Sequence, residues 1–381
     1  MLYLAVVVLF VCSFFLCLCF DISPGTVLQI AVKRLVSNRP QTRKTEKPNA
    51  PYQRVGGGQH EVHRPILLNL ETSDGSGQAT HPDVVHVPDG FGLKGCTYWM
   101  VCTPYPYAQS SFENPEVFVS YDGVSWAVPD GVHNPLVSTP KTAGGHNSDP
   151  DLVFHQDKLW LFYRETLRSK GPSRNPNENT IYVMKSADGI HWSAPIRVLS
   201  EKVGTQLLSP AVIHDGSLFV MWTVEVQGDK LGLMRRTSSD AVNWDPPEPC
   251  EIIGLDQGRH PWHIDVIREK DRLSAVLISY FGAGHSGGEG SRIHYAYSED
   301  EGLTWSVDGF LFEQVYEFES RLQYRGSLQL LDEERQVYGL WYSAASLADV
   351  FSIGFVSLVR KGDRLAPWNG PFRQSKALIV V

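Results

Sequence analysis

A segment of about sixty residues recurs five times along the chain and constrains its fold more than any other feature. The copies begin with HPDVVHVPDGFGLKGCTYWMVC at residue 81, DPDLVFHQDKLWLFYRE at 149, SPAVIHDGSLFVMWTVE at 209, HIDVIREKDRLSAVLISYF at 263 and GSLQLLDEERQVYGLWYSA at 326. Each copy is a β-rich run, a polar turn and a second β-rich run, which predicts a β-hairpin.

Four copies continue with a third alternating strand and a Ser-x-Asp-Gly-type turn closed by Trp126, Trp192, Trp244 or Trp305. A repeated unit of four strands without helical periodicity is typical of a β-propeller, whose four-stranded sheets are called blades. We predict an all-β fold, a five-bladed β-propeller that forms one domain over residues 61–381. The tryptophans are expected to pack between blades. Because a closed ring leaves no free sheet edge, residues 64–70 are expected to complete the last blade.

The N-terminal sixty residues differ in character from the repeats. Residues 1–20 carry no charge, which predicts an apolar helix that serves as a signal peptide or a transmembrane anchor. Residues 21–60 form a basic, proline-containing linker with seven Lys or Arg and two Asp or Glu, so the rest of the chain carries −13 against a total of −8. An acidic domain excludes a nucleic-acid partner. We expect a membrane-anchored or secreted protein with an extracytoplasmic domain, in contact with the membrane through residues 1–20.

Acidic residues and histidines stand at the head of the predicted inner strands. In a propeller these strands surround one axis, and residues two apart point to the same side of a strand. A single aspartate before a strand is most often a turn former. Several that converge on one axis raise one another's pKa, which suits acid–base chemistry. The residues concerned are Asp83, Asp151 and Asp265, with His81, Asp149 and His263 two positions earlier.

The ends of the second strands add polar and aromatic groups to the same face, namely Tyr105, Asn114, Arg164, Glu165 and Glu225. Hydroxyl-binding polar groups beside aromatic rings suit a carbohydrate ligand. Imidazole and carboxylate groups are also competent ligands for a divalent cation. Because no compact spacing favours a particular metal, we predict no metal and no cofactor.

The repeat region resembles the five-bladed propeller glycoside hydrolases, the group that includes families 43, 32 and 68. The motif SDPDLVF at residues 148–154 is closest to their Asp-Pro signature. The resemblance implies a base or nucleophile at Asp83, a substrate-orienting aspartate at Asp151 or Asp149, and a glutamic acid from the third blade. That blade begins LLSPAVI, with Ser209 where the acid is expected, so Glu225 is the predicted substitute.

Three functions therefore remain open. We predict a glycoside hydrolase with Asp83, Asp151 and Glu225 as catalytic residues, and with nine substrate-binding residues, namely His81, Asp149, Tyr105, Asn114, Arg164, Glu165, His263, Asp265 and Arg325. The missing acid of the third blade favours a non-catalytic carbohydrate-binding propeller instead. The sequence SEDEGLTW at 298–305 matches the Asp-box of sialidases, which suggests a sialidase-like enzyme as the third alternative.

Overall fold

The fold is taken from a computed structural model of the chain. It describes residues 63–370, except 93, 143, 169–176, 201–204, 228–229 and 282–289. The predicted apolar helix of residues 1–20 and most of the predicted linker therefore lie outside the described residues. No helix in the described part has the length and apolarity that a membrane crossing requires.

Regular structure in the described residues consists of strands and three short 3₁₀ helices. The helices are Pro106–Ala108, Ser110–Phe112 and Glu317–Glu319. The strands are β1 (Ile66–Leu67), β2 (Ala79–Phe91), β3 (Cys96–Pro104), β4 (Glu116–Ser120), β5 (His146–His155), β6 (Lys158–Arg168), β7 (Asn177–Ser186), β8 (Ile196–Ser200), β9 (Thr205–His214), β10 (Phe219–Gln227), β11 (Lys230–Ser238), β12 (Glu248–Pro249), β13 (Glu251–Ile253), β14 (Arg259–Arg268), β15 (Leu273–Phe281), β16 (Arg292–Ser298), β17 (Thr304–Phe310), β18 (Leu322–Asp332), β19 (Val337–Ala345), β20 (Phe351–Lys361) and β21 (Arg364–Pro367).

These strands form five separate sheets, which confirms the predicted five-bladed, all-β propeller. Blade 1 is β2–β4, blade 2 is β5–β8 and blade 3 is β9–β12. Blade 4 is β14–β17, with β13 added in parallel beside β17. Blade 5 is β18–β20, to which both β1 and β21 are added through β20.

The core lies in the seams between blades, because both faces of each sheet are covered by a neighbour. In β19, Leu340 and Tyr342 belong to the buried cluster shared with blade 4. Trp341, between them, belongs to the cluster shared with blade 1, which contains Met100 and Phe118. Alternate residues of one strand therefore fill two different seams, and the second strands read as almost continuous apolar runs.

The Ser-x-Asp-Gly-type turns lie at the face opposite the starts of the inner strands, here called the far face. In the turn at 120–126, Asp122 Oδ1 accepts hydrogen bonds from the backbone N–H groups of Val124 and Ser125, at 2.8 and 2.6 Å. Trp126 Nε1 donates to the carbonyl oxygen of Gly123 at 3.1 Å. The match of SEDEGLTW to an Asp-box is therefore a match to a turn of the far face.

Glycine is required at three of the four turns, at Gly123, Gly189 and Gly302, because a tryptophan of the preceding blade packs against it. Ala241 takes this position in the fourth turn. At Gly189, φ is +77° and a Cβ atom would stand 2.0 Å from the ring of Trp99. The indole of Trp341 packs on Gly123 in the same way and donates to its carbonyl oxygen at 2.7 Å. The repeated turns are therefore contacts that hold consecutive blades together.

The N-terminal segment closes the ring, as expected for residues 64–70. Ile66 and Leu67 pair with Phe355 and Gly354 of β20. The adjoining His63 is buried, with Nε2 3.2 Å from Glu319 Oε1. The closing strand is thus fixed by backbone pairing on one side and by a buried polar contact on the other.

Candidate functional site

The inner strands of three blades share an unusual backbone conformation where they approach the axis. His81, Asp149 and Ser209 each precede a proline and have φ of +53°, +51° and +46°. A β-bulge interrupts the pairing of each inner strand at this point. Non-glycine residues in the left-handed region cost of order 1–3 kcal/mol and are concentrated at functional sites. The conformation therefore marks this level of the axis as a candidate site.

Two layers of side chains fill the axis at this end, which we call the site face. The upper layer contains one residue from each blade, and all five are buried: His81, Asp149, Ser209, His263 and Arg325. The lower layer lies two residues further along each strand and contains Asp83, Asp151, Ala211, Asp265 and Ser327. The register of the two layers follows from the contacts described below.

Asp149 is the most heavily contacted group of the upper layer. Its Oδ2 forms an ion pair with Arg164 Nη2 at 2.8 Å and accepts a hydrogen bond from Ser148 Oγ at 3.0 Å. Its Oδ1 accepts one from Ser209 Oγ at 3.0 Å. Burial alone would raise the pKa of Asp149, but the positive groups around it hold that pKa well below its usual range, and the first of them is Arg164. Asp149 is therefore an ionised carboxylate.

The two histidines of the upper layer flank this carboxylate. His81 Nε2 lies 3.3 Å and His263 Nδ1 lies 3.5 Å from Asp149 Oδ1. His81 Nδ1 faces Thr103 Oγ1 at 3.3 Å and Glu113 Oε2 at 3.4 Å, whereas His263 Nδ1 contacts the Ser209 hydroxyl. Among the described residues, the Nε2 atoms of both histidines are buried and have no hydrogen-bond partner.

This donor set fits a divalent metal ion. His81, Asp149 and His263 each offer a ligand atom, and the three atoms lie within 4.8 Å of one another. Two imidazoles and a carboxylate suit Zn²⁺ and other first-row divalent ions. Metal-binding histidines typically direct their second ring nitrogen at a carboxylate or another acceptor, as His81 does at Glu113. The two unpartnered Nε2 atoms are the buried polar groups that such an ion would satisfy.

The aspartates of the lower layer join neighbouring blades. Asp83 Oδ2 accepts from the backbone N–H of Leu152 in blade 2 at 2.5 Å. Asp151 Oδ2 accepts from Val212 of blade 3 at 2.9 Å, and Asp265 Oδ2 accepts from Leu328 of blade 5 at 2.7 Å. The Ser327 hydroxyl accepts from Val84 in the same way at 3.0 Å, and Ala211 has no side-chain acceptor to offer. Burial raises the pKa of all three aspartates, and for Asp151 and Asp265 the charge of Asp83 adds to it.

Arg325 connects the two layers. Its Nη1 lies 3.9 Å from Asp149 Oδ1, and its Nη2 lies 3.6 Å from Asp151 Oδ1. Nη2 also donates to the carbonyl oxygen of Pro210 at 3.3 Å. The side chain is fully buried. The predicted substrate-binding residue Arg325 thus belongs to the upper layer and places one positive charge between the carboxylates of Asp149 and Asp151.

An aromatic wall borders the histidines on the blade 5 side. The ring of Tyr324 lies 5.2 Å from that of His81 and 4.9 Å from that of His263. Phe351 packs next to it at 5.9 Å, and Tyr105 packs on Phe351 at 4.6 Å. Burial raises the pKa of Tyr324 well above its usual range, so its hydroxyl remains protonated. Tyr105, predicted to bind substrate, is part of this wall, whereas Tyr324 was missed.

Two further predicted substrate-binding residues, Asn114 and Glu165, contact residues outside the two axial layers. Asn114 is buried, donates to Thr139 Oγ1 at 2.9 Å and accepts from Asn147 Nδ2 at 2.8 Å. Glu165 Oε1 accepts from the Tyr182 hydroxyl at 3.2 Å.

Glu225, the predicted acid, is held by a cation within blade 3. Its Oε1 pairs with Arg236 Nη1 at 2.5 Å and accepts from Thr223 Oγ1 at 3.0 Å. Glu113 contacts His81 from the loop between β3 and β4. The segment FENPE at 112–116, just before the third strand of blade 1, indicates a carboxylate on the site face, but no repeated motif predicts its contact with His81.

Comparison with solved structures finds the same fold in other proteins. A crystal structure of an N-acetylgalactosamine deacetylase from F. plautii, in complex with blood group B trisaccharide, superimposes with a TM-score of 0.67 at 22% identity, covering 77% of this chain and 94% of that one. A GH32 β-fructofuranosidase from Bombyx mori gives 0.55 at 15% identity, covering 82% and 66%. A GH43 protein from Bacillus licheniformis gives 0.54 at 14%, covering 81% and 56%. The chain shares the five-bladed fold of these enzymes.

Sequence comparison gives a similar relationship. The chain is 29% identical over 279 residues to the A type blood N-acetyl-α-D-galactosamine deacetylase of Flavonifractor plautii, which covers 62% of this chain and 34% of that protein. It therefore spans about a third of the length of that curated relative. No protein-family model matches the chain.

Proposed function

We propose that this chain removes the N-acetyl group from an amino sugar, with a divalent transition-metal ion held by His81, Asp149 and His263. The observation that carries the proposal is the convergence of the three residues, whose ligand atoms lie within 4.8 Å of one another, together with the buried Nε2 atoms of both histidines, which have no hydrogen-bond partner in the described chain. The sequence similarity to a deacetylase supports the same chemistry.

The surrounding residues have positioning roles in this proposal. Arg164 and Ser209 hold Asp149 in one orientation through its two oxygens. Glu113 faces His81 Nδ1, which leaves Nε2 as the ligand atom. When bound, the ion would act as a Lewis acid on the acyl oxygen and lower the pKa of water.

Tyr324 is the group of this chain that we assign to the reacting acyl group. Its ring packs against the rings of both histidines, and its hydroxyl remains protonated. We expect it to donate a hydrogen bond to the acyl oxygen as negative charge develops there. Water adds to the acyl carbon, the carbon–nitrogen bond breaks, and a proton passes to the nitrogen, so that acetate and the free amino sugar are released.

The test combines metal content with product analysis on the full-length chain. We expect about one divalent ion per chain, measured by elemental analysis, and acetate release from oligosaccharides with terminal N-acetylgalactosamine or N-acetylglucosamine. His263→Ala should lose both the ion and acetate release, whereas His260→Ala, on the same strand, should retain both. A chain that holds no ion after incubation with Zn²⁺, Mn²⁺ or Co²⁺, or acetate release that survives in His263→Ala, would contradict the proposal.

Glycoside hydrolysis by Asp83 and Asp151 is the second candidate, favoured by the GH43 and GH32 fold neighbours. Its carboxylates are less suitable, because each already accepts a backbone N–H from the next blade. Release of a sugar without acetate would support this candidate. Binding without either product would support a carbohydrate-binding propeller.

A further inference from the structure

Two arginines lie side by side on the site face of blade 4, outside the axial layers. Arg259 begins β14 and is paired with Phe281 at the end of β15. Arg292 begins β16 and is paired with Ser279, two residues before Phe281 on the same side of that strand. Both guanidinium groups lie over the ring of Phe310, at 4.8 and 5.3 Å from its centre. The two arginines and the two phenylalanines thus form one patch, which we call the blade 4 patch.

The positive charge of this patch is weakly compensated within the described residues. Arg259 Nε lies 3.9 Å from Asp256 Oδ2, and Arg292 Nη1 lies 3.5 Å from Glu313 Oε2, and both carboxylates are more than half exposed. Arg292 Nη1 is buried and has no hydrogen-bond partner in the described part of the chain. Within residues 63–281 and 290–370 as far as they are described, the hydrogen bonds of Arg259 go to uncharged acceptors, the Ser279 hydroxyl and the carbonyl oxygen of Gly290, both at 3.1 Å.

On the far face of the same blade, the positive charge of Arg272 is compensated by a close carboxylate. Arg272 lies over the ring of Tyr297 at 4.7 Å, much as Arg292 lies over Phe310. It also pairs with Asp363 Oδ1 at 2.9 Å, a true hydrogen-bonding distance. The difference between Arg272 and Arg292 is therefore the close carboxylate, which the described residues provide on the far face and not on the site face.

The position and composition of the patch suit a charged sugar. Arg259 stands four residues before His263 on β14, which corresponds to roughly 13 Å along an extended strand. Phe281 is 62% exposed beside it and offers a ring face for the apolar side of a sugar. Arginine forks bind carboxylate and sulfate oxygens through two parallel hydrogen bonds.

We propose that the blade 4 patch is a subsite for an acidic sugar, one that bears a carboxylate or a sulfate ester, in the glycan whose N-acetylated sugar enters the axial site. This inference rests on the proposed function only in taking the axial ligand to be a carbohydrate. Arg259 and Arg292 contact the anionic group, and Phe281 contacts the ring that carries it.

The test is equilibrium binding, which does not depend on turnover. Three oligosaccharides with the same N-acetylated end are titrated into the full-length chain: one neutral, one with a uronic acid and one with a sulfated sugar. We expect at least one acidic oligosaccharide to bind roughly tenfold or more tightly than the neutral one at low salt, the effect of one charge-assisted contact, and the preference to shrink as salt is added. Which acidic ligand gains more identifies the anionic group.

Arginine variants test whether the preference for acidic oligosaccharides depends on the blade 4 patch. Arg259→Gln and Arg292→Gln should abolish the preference, Arg292→Lys should keep part of it, and the matched control Arg272→Gln should leave it unchanged, with thermal melting as the check on folding. Equal affinities for neutral and acidic oligosaccharides, a preference that survives both glutamine variants, or no binding of any of the three would overturn the subsite. Acetate release without a preference refutes the subsite alone. A preference without acetate release or a bound ion refutes the proposed function alone.

Discussion

The two layers of the axis are built from the same strands, two residues apart, yet they behave differently. In the lower layer the same bond recurs, a side-chain oxygen that accepts the backbone N–H of the next blade, at Asp83, Asp151, Asp265 and Ser327. In the upper layer the side chains instead converge on one carboxylate, that of Asp149, which His81, Ser209, His263 and Arg325 all face. A position whose contact is the same in successive blades stabilises the propeller. A position whose residue and contact differ between blades can instead bind a ligand or take part in catalysis. Acidic residues near an axis are therefore not sufficient evidence for a catalytic centre.

The largest effect should come from the centre of the upper layer. Asp149→Asn keeps the shape of the side chain but removes the charge that faces His81, His263 and Arg164. We expect acetate release to fall by roughly 10²-fold or more, because a ligand is changed and outer-shell partners alone are worth 10–100-fold. The bound ion is measured in parallel. Unchanged metal content and activity would remove Asp149 from the site.

The lower layer should respond in stability instead. Asp151→Ala leaves the backbone N–H of Val212 without its acceptor, which costs about 1–3 kcal/mol when such a group is buried. Chemical denaturation measures this cost, and acetate release per folded molecule should stay near the unmutated level. A loss of glycosidic cleavage by roughly 10²-fold in Asp83→Asn and Asp151→Asn, with unchanged melting temperatures, would reverse the comparison and assign acid–base catalysis to this layer.

A buried carboxylate outside both layers provides a pH test. Burial raises the pKa of Glu116 to about 7, although Ser73 donates hydrogen bonds to it. Because the folded chain holds this proton more tightly than the unfolded chain does, the stabilisation is complete below pH 4.5, the ordinary pKa, and is lost as pH rises to about 7.

Glu116→Gln should therefore flatten the decline of stability across that pH range, by up to about 3 kcal/mol. Denaturation at several pH values measures it, and Glu71→Gln, at an exposed position nearby, is the control. An identical slope in the Glu116 variant and in the unmutated chain would show that another group causes the decline.

The smallest effect is expected at Glu225. Its ion pair with Arg236 is buried, and glutamine keeps an acceptor for that arginine. Glu225→Gln should change acetate release by less than about twofold, the scale of substitutions outside a reacting site. Loss of a glycosidase activity in this variant would instead support its predicted role as the acid.

The number of blades and the closing strand were predictable because both follow from repeated patterns. Five hairpins require five sheets, and a ring requires a partner for β20. The convergence of His81, Asp149 and His263 was predictable for the same reason. The different roles of the two layers were not predictable, because residues two apart on a strand look equivalent in sequence.

Contacts that depend on irregular backbone were also beyond sequence reasoning. The bulge between Gln323 and Arg325 in blade 5 shifts the register, which places Arg325 in the upper layer and Tyr324 beside the histidines. Glu113 reaches His81 from a loop that no repeat constrains.

The addition of both β1 and β21 to β20 has a consequence for how the ring forms. Ile66 and Phe355 are neighbours in space but are separated by nearly the whole described chain, so their pairing has a very high contact order. The seam between blades 5 and 1 cannot be covered until the last blade has left the ribosome. During synthesis the first four blades therefore exist as an open arc with an apolar edge at blade 1, and closure of that arc is the step at which folding competes with aggregation.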